Sequence, residues 1–225
     1  RFTTFERQEL SSLIVVKRDG TREPYSRGKL ERGIWLSCTK RPVTQEKIDK
    51  LSRIRTVLGE INAAIVRMRD KQELLQEACR IVVEAGRFPF AWIGLVDSEA
   101  QHVTPVSWAG VDNGFLGSLQ NRRSLKPEPP AEPGPVARTV LDRKPLVAND
   151  VKNDPRMTRR EDYRERNVNS VAMLPLMGSN EVAGVLVLHA SETGFFDDDE
   201  MKLLNELASD VGFAMQTIEK QEKLD

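Results

Sequence analysis

An α+β fold, built on a mostly antiparallel central sheet flanked by helices, is predicted by three features of the sequence. Long stretches near residue 50 and at the C-terminal end step their apolar residues by three and four, as helices do. Between them, short β-branched or alternating runs come in pairs joined by polar turns, as hairpins do. Helices and strand pairs are grouped rather than strictly alternating, which favours antiparallel over parallel pairing.

The first element is a small hairpin. Residues 13–16 are a β-branched apolar run, Asp19-Gly20 is a two-residue turn signal, and residues 21–26 return. A helix is expected over 28–40, with Leu30, Ile34 and Cys38 on one face, and Arg41-Pro42 breaks it. Thr44 then offers an N-cap, although Lys47 stands where a capping box has Glu or Gln.

The helix that follows carries Leu51, Ile54, Leu58, Ile61, Ile65 and Met68 in steps of three and four, a narrow seam of the coiled-coil kind. A second helix over 71–85 holds Leu74, Leu75, Cys79, Val82 and Val83. Strands are expected over 88–96 and 103–109. The Pro-, Gly- and charge-rich segment 112–133 is expected to cover a pocket or to be mobile. A short helix over 135–143 and a short strand over 145–148 come next, and the charged stretch 154–167 reads as helix or loop. Residues 171–176 and 182–189 form the last hairpin. The final helix spans 197–223. Asp197, Asp198, Asp199 and Glu200 in its first turn complement the helix dipole, and Leu204, Leu207, Val211, Ala214 and Ile218 repeat the seam.

Composition narrows the function classes. The 225 residues carry 34 Lys/Arg and 34 Asp/Glu, so net charge gives no reason for non-specific nucleic-acid binding. Residues 1–50 hold 12 Lys/Arg against 7 Asp/Glu, which sets the N-terminal piece apart. No apolar run approaches the roughly 18–20 residues that cross a bilayer. Cys38 and Cys79 are far apart and form no CxxC pair, which suits a reduced, cytoplasmic setting. The chain does not begin with Met and is expected to be a fragment.

Several motifs, in order, resemble the GAF domains of bacterial signalling proteins. They are Ala91-Trp92-Ile93-Gly94-Leu95-Val96; Gly134-Pro135-Val136-Ala137-Arg138; and Val147-Ala148-Asn149-Asp150 with Asp154-Pro155-Arg156. Ser170-Val171-Ala172-Met173-Leu174-Pro175, Gly184-Val185-Leu186-Val187-Leu188 and Phe195-Phe196-Asp197 complete the set. The resemblance covers 48–225. It implies a sheet with helices packed on it, a small-molecule pocket in some members, dimerisation through the end helices, and an output module that is missing from this chain. Residues 1–47 resemble part of another family. Arg1-Phe2-Thr3-Thr4-Phe5-Glu6-Arg7, Val15-Val16-Lys17-Arg18-Asp19-Gly20 and Lys40-Arg41-Pro42-Val43 are similar to NrdR, the zinc-ribbon, ATP-cone repressors of ribonucleotide reductase genes. That resemblance implies ATP or dATP as ligand, with Lys17, Arg18 and Lys29 as phosphate contacts. Without the zinc ribbon no nucleic-acid partner is expected.

Candidate site residues follow. Trp92, Trp108, Phe115, Asn149, Asp150 and Met173 are read as lining a pocket for an unidentified small molecule, with Arg164 as a charged gate. Leu51, Ile54, Leu58, Ile61, Leu204, Leu207, Val211 and Ile218 are assigned to a homodimer interface. His102 and His189 have no second ligand at metal spacing, and His189 is expected to be a strand-end residue with a hydrogen-bonded ring. Cys79 is expected to be a small buried hydrophobe. Phe195, Asp199 and Glu200 fit the second half of a cyclic-nucleotide signature whose first half is absent. No catalytic or metal centre is legible, so the expectation is a regulatory sensory module. The alternatives are an ATP/dATP-responsive repressor and a thiol-based redox enzyme.

Overall fold

The computed structural model describes residues 14–17, 20–24, 26, 29, 44–97, 99, 101–118, 124–125, 133–158, 160–178 and 181–222. The chain divides into two compact units, Arg1–Lys47 and Ile48–Asp225. In the smaller one, β1 (Ile14–Val16) pairs antiparallel with β2 (Arg22–Pro24), Val15 opposite Glu23. The Lys17 N–H donates to the Thr21 carbonyl at 2.8 Å, the Gly20 N–H donates to the Lys17 carbonyl at 2.9 Å, and Gly20 stands at φ 83°. The connection therefore closes on a left-handed glycine and is one residue longer than a two-residue Asp-Gly turn. The helix expected over 28–40 lies outside the described residues, apart from Lys29.

In the larger unit a period of two sorts side chains onto the two faces of one sheet. Its strands are β3 (Phe90–Asp97), β4 (His102–Gly110), β5 (Leu146–Ala148), β6 (Ser170–Met177) and β7 (Val182–Ala190). They lie in the order β4-β3-β7-β6-β5, every neighbouring pair antiparallel. Ala91, Ile93, Leu174 and Leu186 belong to the core on one face; Phe90, Trp92, Met173 and Val187 belong to the core on the other. Burial on both faces explains why these strands read as near-continuous apolar runs.

The helices are α1 (Gln45–Arg67), α2 (Lys71–Glu84), α3 (Phe115–Ser118), α4 (Pro135–Asp142), α5 (Arg160–Glu165) and α6 (Asp198–Glu222). The long α1, α2 and α6 bury their apolar stripes in the first core; α3, α4 and α5 contribute to the second. Caps fix their starts. Thr44 Oγ1 accepts from the Lys47 N–H at 3.2 Å, and Asp70 Oδ1 from the Glu73 N–H at 2.8 Å. At α6, Asp197 Oδ1 accepts from the Glu200 N–H at 3.2 Å while Glu200 Oε2 accepts from the Asp197 N–H at 2.9 Å, a reciprocal capping box.

At one sheet margin, α2 covers the open side of β4. Gln72 Nε2 donates to the Val106 carbonyl at 2.8 Å, and Gln76 Nε2 donates to the Trp108 carbonyl at 2.9 Å. No helix among the described residues is long and apolar enough to cross a membrane.

Candidate ligand site and its link to the terminal helices

The second face of the sheet brings together Trp92, Phe115 and Met173, three of the residues read as pocket lining, all fully buried. On the same face lies His189, on β7, whose ring is wholly enclosed. Phe90, Phe115 and Tyr163 surround it with ring centroids at 5.2, 5.1 and 5.5 Å, all edge-to-face. Neither Nδ1 nor Nε2 has a hydrogen-bond partner, nor does Trp92 Nε1. The expected hydrogen-bonded ring of His189 is thus overturned: aromatic edges, not polar groups, pack around it. Burial, aided by the nearby Arg166 guanidinium, lowers its pKa from 6.5 to about 3, so the imidazole is neutral.

The roof over this face comes from α3 and α5. Asp112 caps α3, its Oδ1 accepting from the Leu116 N–H at 2.8 Å, and so presents Phe115. Arg166, just past α5, donates to the carbonyls of Asn113 at 2.7 Å and Asp162 at 2.8 Å, and its guanidinium lies 5.4 Å from the Phe115 ring centroid. The gate residue read from the sequence, Arg164, is instead an exposed partner of Glu161 at 2.7 Å. A single residue, Glu165, separates the two, and it is Arg166 that reaches across to the Asn113 carbonyl while Arg164 stays in solvent; the chain then turns at Asn167, φ 53°. Trp108 is half exposed on β4, directly opposite Trp92 in register.

Asn149 and Asp150 do structural work beside the site. Asn149 grips Phe196 from both sides, Nδ2 donating to its carbonyl at 2.7 Å and Oδ1 accepting from its N–H at 2.9 Å. Asp150 Oδ2 accepts from Asn153 Nδ2 at 2.7 Å and holds a turn. Arg156 forks onto Asp154 at 2.9 and 2.6 Å and reaches the Val147 carbonyl, and it depresses the Asp154 pKa.

The Phe195–Phe196 segment is gripped from the helix face as well. Lys50 Nζ, on α1, donates to the Phe195 carbonyl and lies 3.7 Å from Glu200 Oε1. Glu200 is fully buried, and burial raises its pKa. The half-signature Phe195, Asp199 and Glu200 is therefore used in part for packing and capping α6.

The interface assignment needs correction. Ile54, Ile61, Leu204, Leu207, Val211 and Ile218 are buried within the single chain, against the sheet and one another. Only Leu51 and Leu58 stay half exposed. The buried stripe of α1 is Ile54, Val57, Ile61 and Ala64. Among the apolar residues left outside are Val66 and Phe213, at 71% and 70% exposure.

In the smaller unit Lys17 and Lys29 converge on one carboxylate, Glu23 Oε2, at 3.1 and 2.9 Å. Lys29 first and Lys17 second lower its pKa. Arg18 lies outside the described residues. Cys79 is buried on α2 and its thiol is pushed up to about 12 by desolvation, the opposite of an activated nucleophile; Cys38 lies outside the described residues. Among the described residues no cluster of His, Cys, Asp and Glu is arranged to hold a metal ion.

By its architecture the larger unit is a three-layer α+β domain, with long helices on one face of an antiparallel sheet and a roofed site on the other. The chain belongs to the GAF domain family, whose family model matches residues 68–216. Residues 13–85 match the ATP cone domain, which thus runs past residue 47 through α1 and α2 and overlaps the GAF match. Relatives of that part are transcriptional repressors NrdR. The one from Chloroflexus aggregans is 46% identical over 74 residues, 33% of this chain and 38% of the relative. That from Novosphingobium aromaticivorans is 39% identical over 92 residues, 40% of this chain and 58% of the relative. The chain therefore spans 38–58% of the length of these two relatives. Two solved structures share the fold. The GAF domain of a phosphoenolpyruvate-protein phosphotransferase from Coxiella burnetii has TM-score 0.62 and 16% identity, covering 77% of this chain and 97% of that one. Free methionine-R-sulfoxide reductase from Neisseria meningitidis, solved with its substrate, has TM-score 0.61 and 19% identity, covering 77% and 94%.

Proposed function

We propose that the chain is a cytoplasmic regulatory sensory module, not an enzyme, in which residues 48–225 bind a small molecule and dimerise through the terminal helices. The observation that carries this reading is the Phe195–Phe196 segment. Asn149 holds it from the site side and Lys50 with Glu200 from the helix side, so an occupant of one face and the packing of α1 and α6 on the other share a mechanical element. A ligand that prefers one arrangement of that segment shifts the helix pair with it. The buried, high-pKa Cys79 argues against a thiol enzyme built on that residue.

The second copy meets the outer helix surfaces, where Val66 and Phe213 are exposed, with Leu51 and Leu58 at the margin. Sedimentation of the intact chain tests this: Phe213→Glu with Val66→Glu yields monomers of unchanged circular dichroism. Dimers that persist in the double variant refute the interface.

A second reading is favoured by the ATP cone match and by the convergence of Lys17 and Lys29. Residues 1–47, as part of a cone, supply a triphosphate contact for ATP or dATP. Titration calorimetry of both nucleotides decides it, and no heat at millimolar nucleotide ends it.

A further inference from the structure

On the helix side of the sheet, away from the roofed face, a cleft of about 390 Å³ opens between α6, the residues flanking the β6–β7 connection and the end of α4. A space of this size suits a small metabolite. Its apolar part is Met215, almost fully buried on α6, with Ala183 of β7, and both pack with the first core. Gly178 contributes no side chain. A Cβ there would come 3.7 Å from Gln216 Nε2 and 3.8 Å from the Ala183 Cβ, so the bare glycine keeps that part of the cleft open beside the Gln216 amide.

The charged lining has two unspent groups. Arg143, the C-cap of α4, stands at φ 53° and ψ 34° in the left-handed region, where glycine is the favoured residue. The chain keeps a side chain at a position that disfavours one, and that side chain lines the cleft. Glu181, just before β7, lines it as well. Among the described residues neither Arg143 nor Glu181 has an ionic partner, and they do not pair with each other. Glu219, also in the lining, is already held by Lys71 of α2 at 2.6 Å.

We propose that this cleft is a second ligand site, and that it takes a small zwitterion, a free amino acid or dipeptide with an apolar side chain. The charges set the class. A plain anion suited to Arg143 would meet the Glu181 carboxylate, and a plain cation suited to Glu181 would meet the guanidinium. A zwitterion gives each its complement: carboxylate to Arg143, whose fork accepts it through two parallel hydrogen bonds, and ammonium to Glu181. Its apolar side chain covers Met215 and Ala183. An occupant so held ties the last turns of α6 to the β6–β7 hairpin and to the end of α4. The site stands apart from the roofed face and from the sensory reading attached to it.

The test is titration calorimetry of the full chain with leucine and the dipeptide Ala-Leu as probes. N-acetylleucine, which lacks the ammonium, and leucinamide, which lacks the carboxylate, are the controls. At least one probe binds at millimolar concentration, and each control binds about tenfold more weakly or not at all. Arg143→Gly relieves the left-handed side chain, so it keeps or raises Tm while weakening the probe about tenfold. Glu181→Gln, at an exposed position, leaves Tm unchanged and weakens the probe to a similar degree. Bound probe slows hydrogen exchange in the last turns of α6. No heat with either probe overturns the inference, as does equal binding of the two controls. Probe binding that survives both substitutions also overturns it, because the occupant then lies elsewhere. The sensory reading is decided separately, by sedimentation.

Discussion

The ammonium of Lys50 lies 4.2 Å above the Phe195 ring and at the same time donates a 2.9 Å hydrogen bond to the carbonyl of that residue. One side chain from α1 so holds both the ring and the backbone of the segment that leads into α6. Its charge also faces the buried Glu200 carboxylate.

Lys50→Met leaves Glu200 without its nearby cation and frees the Phe195 carbonyl. The expected loss is about 1–3 kcal/mol in urea denaturation. Adding Glu200→Gln restores most of it, because the amide keeps an oxygen for the Asp197 N–H without a buried charge. A double variant no more stable than Lys50→Met alone contradicts this account.

His189 makes stability depend on pH with a defined sign. Its folded pKa lies below the unfolded value, so its contribution is fully present above pH 6.5 and is lost as pH falls toward about 3. Between pH 7.5 and 5 this one group removes about 2 kcal/mol. His189→Leu should flatten that limb of the stability curve; parallel curves for the two proteins would exclude the mechanism.

Arg166 and Arg164 separate a roof residue from a solvated one. Arg166→Ala strips the hydrogen bonds to the Asn113 and Asp162 carbonyls and should cost about 1–3 kcal/mol, with faster hydrogen exchange in α3 and α5. Arg164→Ala removes an exposed ion pair and should change stability by less than about 0.5 kcal/mol. Equal effects would place the roof elsewhere.

Gly212 brings α6 down onto β6. A Cβ there would stand 2.6 Å from the Met177 carbonyl oxygen and 2.8 Å from its nitrogen, backbone atoms that have little freedom to move. Gly212→Ala, which raises helix propensity, should nevertheless destabilise by about 1–3 kcal/mol. A gain in Tm would show that the close approach is not required.

The periodic elements were legible because burial leaves a period. β3, β6 and β7 fall where apolar runs placed them, and Trp92, Phe115 and Met173, read as pocket lining, are packed in one core cluster. The stripe of α1 was harder. Leu51, Leu58 and Ile65 are as apolar as Ile54 and Ile61, and an apolar stripe about 100° wide admits more than one choice of seam. Packing chose the seam containing Val57 and Ala64. Nothing local distinguishes Arg164 from Arg166; only the folded chain shows that Arg166 reaches the Asn113 carbonyl, 53 residues away, while Arg164 pairs with Glu161 in solvent. His189 was the least readable. Phe90, Phe115 and Tyr163 reach it from 26 to 99 residues away, and only the assembled sheet brings them to one ring.

The glutamines of α2 have a consequence for self-association. An outermost strand with bare carbonyls is a template onto which any extended peptide can add. Gln72 and Gln76, one helical turn apart, occupy the acceptors of Val106 and Trp108. Two amide side chains thereby occupy, at those two positions, the acceptors that an extended chain approaching that margin would need.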